Sequence, residues 1–235
     1  MRSENVKDAY TAYENSHAVN AISVLTNKDH FGMSIEKLAE ARERFSKPIL
    51  RKDFILDEYQ IFEAKAFGAD AILLMANVLD KGKLHRFWQV ATDIGLEVLF
   101  EAHTSAQIRM IPKGATICGI NCRIMDSADR QSILPVSYTL SRKFYKFIGD
   151  STTNLSRFDL VADLPHACIK VAESGISTGT ILSVKELNYN AALVGTSLLM
   201  APEGIHSALQ KFEEVLTGQT EKMPVENTGL VHSHA

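Results

Sequence analysis

Four short apolar runs in this chain end on residues that can carry or move a proton. PILRK ends on Lys52, EVLFE on Glu101, ICGIN on Asn121 and KVAE on Glu173. A lysine, two carboxylates and an amide are the groups needed for general acid–base work and for stabilising a developing oxyanion. Strand side chains alternate in direction, so Leu50 and Lys52, Leu99 and Glu101, Gly119 and Asn121, and Val171 and Glu173 each share a face. A single charged residue after a strand is ordinarily a solvated rim residue. Its recurrence on four strands points instead to one cavity that gathers all four groups.

Two glycine turns add a second chemical signal. Glu173-Ser174-Gly175-Ile176 follows one late apolar run, and Val194-Gly195-Thr196-Ser197 follows the next. Each turn alone reads as a tight connection. Together, in the last two strand-to-helix loops, they put backbone N–H groups and the Ser197 hydroxyl where barrel enzymes hold a phosphate.

The elements that must position these groups are visible as apolar runs alternating with amphipathic stretches, the pattern of a parallel sheet covered on both faces. The runs predict seven strands: Ala21–Leu25, Pro48–Arg51, Ala71–Met75, Glu97–Phe100, Thr116–Ile120, Ile169–Ala172 and Ala192–Val194. Helices are predicted over Ser34–Phe45, Asp57–Phe67, Lys81–Ile94, Thr104–Met110 and Gly179–Leu187, several opened by Ser, Thr or Asp as N-caps. Gly68 and Gly95 fall where a helix should end and a strand begin. The rhythm breaks between Ile124 and Pro165, a stretch that includes the basic cluster Ser141–Lys146. A connection of that length predicts an elaborated insertion with some helix of its own. Such a chain is α/β, either an open doubly wound sheet or a closed barrel. No Gly-x-Gly-x-x-Gly follows the first strand, which argues against a dinucleotide-binding domain.

Composition bounds the rest. With 235 residues, 46% of them hydrophobic, the chain can bury one full core, so residues 1–217 are read as a single domain with an insertion at about 124–165, and 218–235 as a mobile tail. The formal charge of -3 offers no basic surface for nucleic acid. No run approaches the length of a membrane span, and MRSENVKDAY lacks the apolar core of a secretory signal. Cys118, Cys122 and Cys168 match no disulfide framework or zinc spacing and fit a reducing, cytoplasmic setting with no metal; Cys118 and Cys122, in or beside an apolar strand pattern, read as buried thiols.

From about Ala21 to Met200, roughly three quarters of the chain, the sequence resembles indole-3-glycerol-phosphate synthase. AISVLT, ILRKDFILDEYQIFEAKAFGADAILLM, LEVLFEAH, CGINCR, VAESGI and LVGTSLL occur in that family's order. The resemblance implies a (β/α)8 barrel. It also implies a cofactor-free and metal-free lyase that converts 1-(2-carboxyphenylamino)-1-deoxyribulose 5-phosphate to indole glycerol phosphate, carbon dioxide and water in tryptophan biosynthesis. Lys52 takes the role of the acid for ring closure, Glu101 that of the catalytic glutamate, and Asn121 and Glu173 those of groups that place the sugar hydroxyls. Arg123 and Ser174 become substrate contacts, Phe31 and Phe54 the apolar walls around the anthranilate ring, and Gly175, Gly195 and Ser197 the phosphate turns. Arg123 also reads as a rim charge, and the two phenylalanines as core. His103 is expected to pack or support rather than react.

The chain departs from the family at its start, where nothing matches the family's first-strand motif near Glu-Ile-Lys-x-x-Ser-Pro-Ser. Residues Asn5–Ser16 resemble the first barrel helix instead. The expectation is therefore a barrel with seven recognisable strands and strand 1 missing, impaired in activity. Its exposed strand edges would be covered by a homo-oligomer, a partner chain, or the insertion and tail. Smaller departures are HFGMS, CGINCRIM and the length of the 124–165 connection. The competing readings are a noncatalytic homologue that binds a phosphorylated ligand or a partner chain, and another phosphate-binding barrel enzyme such as an isomerase.

Overall fold

A computed structural model describes residues 3–28, 32–123 and 153–218. Its elements alternate from α1 (Ser3–Asn15) through β1 (Ile22–Leu25), α2 (Glu36–Arg44), β2 (Ile49–Lys52), α3 (Tyr59–Ala66), β3 (Ala71–Met75), α4 (Lys81–Asp93), β4 (Glu97–Ala102) and α5 (Ser105–Ile108) to β5 (Ile117–Asn121). A 3-10 helix (Leu155–Asp163), β6 (Ile169–Glu173), α6 (Ile181–Glu186), β7 (Ala191–Leu193), α7 (Thr196–Leu199) and α8 (Ile205–Thr217) complete the described chain. The Ser141–Lys146 cluster and most of the 124–165 segment lie outside the described residues, as does all but Gly218 of the tail.

Seven parallel strands lie in strictly sequential order, β1 to β7. That order has no switch point of the doubly wound kind, and it belongs to a β/α half-barrel. Among the described residues, β1 and β7 each pair on one side only. The first helix, α1, packs against the last, α8, with Ser16 hydrogen-bonded to Glu213.

Apolar side chains divide between the two faces of the sheet. Leu50, Phe54, Leu73, Met75, Leu99 and Val171 form one cluster, the filling of the barrel interior. The other face carries Ile49, Ile72, Leu74, Val98, Phe100, Cys118, Ile120 and Ala172 against the helices. Strand alternation sends these neighbours in opposite directions, which is why β3, AILLM, is apolar throughout.

Local signals set the element ends. The Asp80 side chain accepts from the N–H of Lys83 and caps α4, which buries Leu84, Phe87 and Ala91 along one stripe. Thr104 caps α5 through Gln107 N–H. After α3 and α4 the chain turns at Gly68 and Gly95, closed by Ala69 N–H to Ala64 O and Leu96 N–H to Ala91 O, 3.0 and 2.9 Å. No helix among the described residues is long and apolar enough to cross a membrane.

The predicted strands all form, with shifted ends. Lys52, Asn121 and Glu173 are the last residues of their strands rather than the first beyond them, and β4 runs on through Glu101 to Ala102. The reason is backbone pairing: Leu25 pairs with Lys52, and Asn121 with Glu173, whatever their side chains. The helices are shorter than predicted at their ends, and α7 and α8 have no counterpart among the predicted helices.

Candidate active site

The C-terminal ends of β2, β4 and β6 bring Lys52, Glu101 and Glu173 together. Lys52 Nζ lies 3.2 Å from Glu101 Oε2 and 3.2 Å from Glu173 Oε2. Both carboxylates are 1% exposed, whereas the lysine side chain keeps 22% of its surface open to the mouth. The ammonium thus closes the buried carboxylate pair, on a side chain that is itself only partly buried.

One cation between two buried carboxylates leaves a surplus of negative charge, and the site answers by holding a proton. Burial, with Glu101 beside it and in spite of Lys52, pushes Glu173 up to about 8. Burial also pushes Glu101 up, but the Lys52 charge and the His103 hydrogen bond outweigh it and hold that carboxyl well below the usual range. Lys52, penalised by burial, is carried above the ordinary lysine range by the two glutamates. Of the three groups, Glu173 is thus the one pushed toward its protonated form, while Lys52 and Glu101 are both pushed toward their charged forms.

Glycine at position 119 makes room for this. A Cβ there would collide with Glu173 Oε1, so the carboxyl lies directly over the β5 backbone. That oxygen is buried with no hydrogen-bond partner among the described residues. A buried carboxyl oxygen left without a partner is one that a polar group of a bound molecule can meet.

Asn121 is buried beside Glu173 in register, and its Oδ1 accepts from Arg123 N–H at 2.9 Å. Arg123 follows β5, half-buried, and bridges to Thr153. Phe54 packs into the interior cluster beneath Lys52. Phe31 lies outside the described residues.

The glycine turns meet after β6 and β7. Ser174 and Gly175 both adopt positive φ, 68° and 74°. A Cβ on Gly175 would stand 2.8 Å from Leu155 Cδ2, so both the backbone and the space favour glycine there. Gly195 opens α7, and a Cβ on it would meet nothing within 4 Å. Ser197 Oγ donates to Ile176 O at 2.5 Å, lacing the two turns together. Backbone N–H groups, rather than that hydroxyl hydrogen, are what this corner offers an anion.

Sequence reasoning missed two groups. Arg51 and Asp53 point away from the mouth and are buried as an ion pair of 3.2 Å, with Thr26 bonded to both. They flank Lys52, and the quoted RKDF held the signal. Arg157, on the 3-10 helix, reaches the rim from inside the segment read as an insertion, and no sequence pattern announced it. Cys118 and Cys122 are buried, as expected, and so is Cys168.

Solved structures resemble this fold closely. 3-Hexulose-6-phosphate synthase from Salmonella typhimurium gives a TM-score of 0.64 at 16% identity, covering 90% of this chain and 92% of that one. KGPDC from Streptococcus mutans gives 0.62 at 15%, covering 91% and 93%. At such identities the likeness concerns the barrel alone.

Sequence relatives go further. The indole-3-glycerol phosphate synthase of Leptospira interrogans is 37% identical over 177 residues, 75% of this chain and 62% of the relative. Those of Clostridium kluyveri and Campylobacter concisus are 33% and 35% identical over 214 and 217 residues, covering 90% and 91% of this chain and 72% and 74% of theirs. The chain thus spans 62% to 74% of the length of these relatives. The family model for indole-3-glycerol phosphate synthase matches residues 2–131, which include Lys52, Glu101 and Asn121, and on this match and these identities the chain belongs to the indole-3-glycerol phosphate synthase family.

Proposed function

We propose that this chain is a carboxy-lyase that closes the indole ring. It takes 1-(2-carboxyphenylamino)-1-deoxyribulose 5-phosphate and gives indole glycerol phosphate, carbon dioxide and water, the tryptophan-pathway step of its family. The observation that carries the reading is the Lys52 ammonium held 3.2 Å from two buried carboxylates at an open mouth.

Ring closure joins the carboxylate-bearing aromatic carbon to the ketone carbon, and negative charge develops on the ketone oxygen. Lys52, whose ammonium form its two carboxylate neighbours favour, is assigned to supply the cation and the proton that such charge needs. Glu173, protonated up to about pH 8, can return that proton to the lysine. Loss of carbon dioxide restores electrons to the ring, and the new hydroxyl then leaves as water. Glu101 and Asn121 are assigned to the proton transfers and hydroxyl contacts of these steps. The reaction balances without a cofactor or a metal.

Arg123 suits the aryl carboxylate, for which a guanidinium gives a paired contact. Ser174 and Phe54 complete the substrate contacts, with Phe31 assigned to the same wall. The backbone N–H groups of Gly175, Gly195 and Ser197 would take the phosphate, with the Ser197 hydroxyl bracing the two turns. Three buried thiols, all free, fit a reducing cytoplasm.

The test is to add the substrate and follow the fluorescence of the indole product. Product is expected from the chain, with Lys52→Ala slower by about 10² to 10⁴ and unchanged in circular dichroism. A chain that binds a sugar phosphate yet forms no product belongs to the noncatalytic reading.

A further inference from the structure

Outside the cluster of Lys52, Glu101 and Glu173, one guanidinium gathers backbone and side chains from two neighbouring strand ends. Arg157 Nη1 lies 2.8 Å from Arg123 O, 3.4 Å from His103 Nδ1 and 3.5 Å from Asn121 O. On the other side of the same imidazole, His103 Nε2 lies 3.1 Å from Glu101 Oε1. Glu101 Oε2 in turn meets Lys52. The four side chains therefore form a single file, from the 3-10 helix to the ammonium in the mouth.

A guanidinium can only donate, and an ionised carboxylate can only accept. The ring between them has two nitrogens whose roles are fixed by these neighbours. Nδ1, facing the arginine, must offer its lone pair, and Nε2, facing Glu101, must carry the hydrogen. A ring with its hydrogen on Nδ1 would set two donors against each other and leave two acceptors facing across the Glu101 contact. We propose that Arg157 is a positioning residue that locks His103 in the Nε2–H tautomer and so fixes the Glu101 carboxylate on Lys52.

The surroundings of the ring support a fixed role. His103 is 7% exposed, and its own N–H donates to Gln107 Oε1 at 2.7 Å, pinning the backbone after β4. Arg157 is anchored independently through Arg123 O at 2.8 Å. The ring is thus held at both of its nitrogens and its backbone at the N–H, and rotation of the imidazole would break both ring contacts. Arg157 also joins the rim after β5 to the rim after β4, so the 3-10 helix, not the sheet, completes the support of Glu101.

The inference concerns the site proposed above, but its first test is independent of turnover. Nitrogen-15 spectra of the imidazoles of the full chain, assigned with His103→Gln, should show His103 with a hydrogen-free Nδ1 and a hydrogen-bearing Nε2. In Arg157→Met the hydrogen-free Nδ1 signal should be lost or averaged, and in Arg157→Lys partly retained. His103 carrying its hydrogen on Nδ1 in the unaltered chain overturns the proposal, and so does an unchanged signal in Arg157→Met. The second test uses turnover. Arg157→Met should lower kcat by about 10-fold to 10²-fold, as misplacement of a reacting group does, with KM changed less. His103→Gln keeps an amide donor for Glu101 and needs no tautomer, so adding Arg157→Met to it should lower kcat little further. Full additivity of the two substitutions would show that Arg157 acts by another route. Absence of turnover in the unaltered chain would overturn the synthase reading while leaving the spectroscopic result to decide this one.

Discussion

The carboxyl of Glu173 lies over Gly119 so closely that a methyl group on the glycine would collide with Glu173 Oε1 and stand 3.3 Å from Leu99 Cδ1. The glycine on β5 therefore decides where the acid on β6 can stand. In a barrel interior each layer of side chains comes from alternate strands, here β2, β4 and β6, and a residue without a side chain on the intervening β5 is how the space for the Glu173 carboxyl beside Lys52 is left open.

Gly119→Ala tests that relationship. Glu173 must swing away, and overpacking of this kind costs about 1–3 kcal/mol. The expected result is a lower melting temperature together with a loss of turnover larger than the stability change explains. A variant that melts and turns over like the parent would show that Glu173 can relocate freely.

The raised Glu173 has a consequence for stability against pH. Its ordinary value is 4.5 and its value in the folded chain about 8, so the folded chain holds the proton more tightly than the unfolded one. The stability this contributes is fully present below about pH 4.5 and is lost as pH rises through about 8. Glu101 has the opposite sign: its contribution is present above its ordinary value of 4.5 and is lost as pH falls below it. Thermal denaturation between these limits should therefore show a downward slope with rising pH, and Glu173→Gln should flatten it. An equal slope in both proteins would place the proton elsewhere.

Most of the strand layout was legible because a parallel strand buried on both faces is written as an unbroken apolar run. Leu50, Leu99 and Val171, paired by alternation with Lys52, Glu101 and Glu173, do line the interior together. The strand ends were misread because backbone pairing continues through Lys52 and Glu173, whose side chains look like loop residues. The helix α8 was legible in retrospect, since Ala208, Leu209 and Phe212 make a buried stripe. Arg157 was not, because its role depends on where an aperiodic segment returns to the rim. The seven strands expected from the apolar runs are the seven found, and among the described residues β1 and β7 each pair on one side only. Phe31 and the 124–152 segment lie outside them.

The last prediction concerns the far side of β2, where Asp53 holds the loop that carries Lys52. Its Oδ1 accepts from Phe54 N–H at 2.8 Å and from Asn27 Nδ2 at 3.1 Å. Its Oδ2 accepts from Thr26 Oγ1 at 2.7 Å and from Arg51 Nη2 at 3.2 Å. Arg51 is buried too, and its second nitrogen reaches Glu63 on α3 at 2.8 Å. Every partner is a donor, so an amide in place of the carboxylate must turn its NH2 toward one of them whichever way it flips. Asp53→Asn should therefore cost about 3–5 kcal/mol, the scale for breaking a buried charge pair from one side. In a domain of this size that lowers the melting temperature by about 6–20 °C. Thr26→Val removes only a hydroxyl from the same cluster and should cost about 1–3 kcal/mol. The two losses together should fall short of their sum, because both substitutions release the same arginine. Turnover should drop with Asp53→Asn, since the backbone from Lys52 to Phe54 loses its tether. If that variant melts and reacts as the parent does, the cluster is not what holds Lys52 in place.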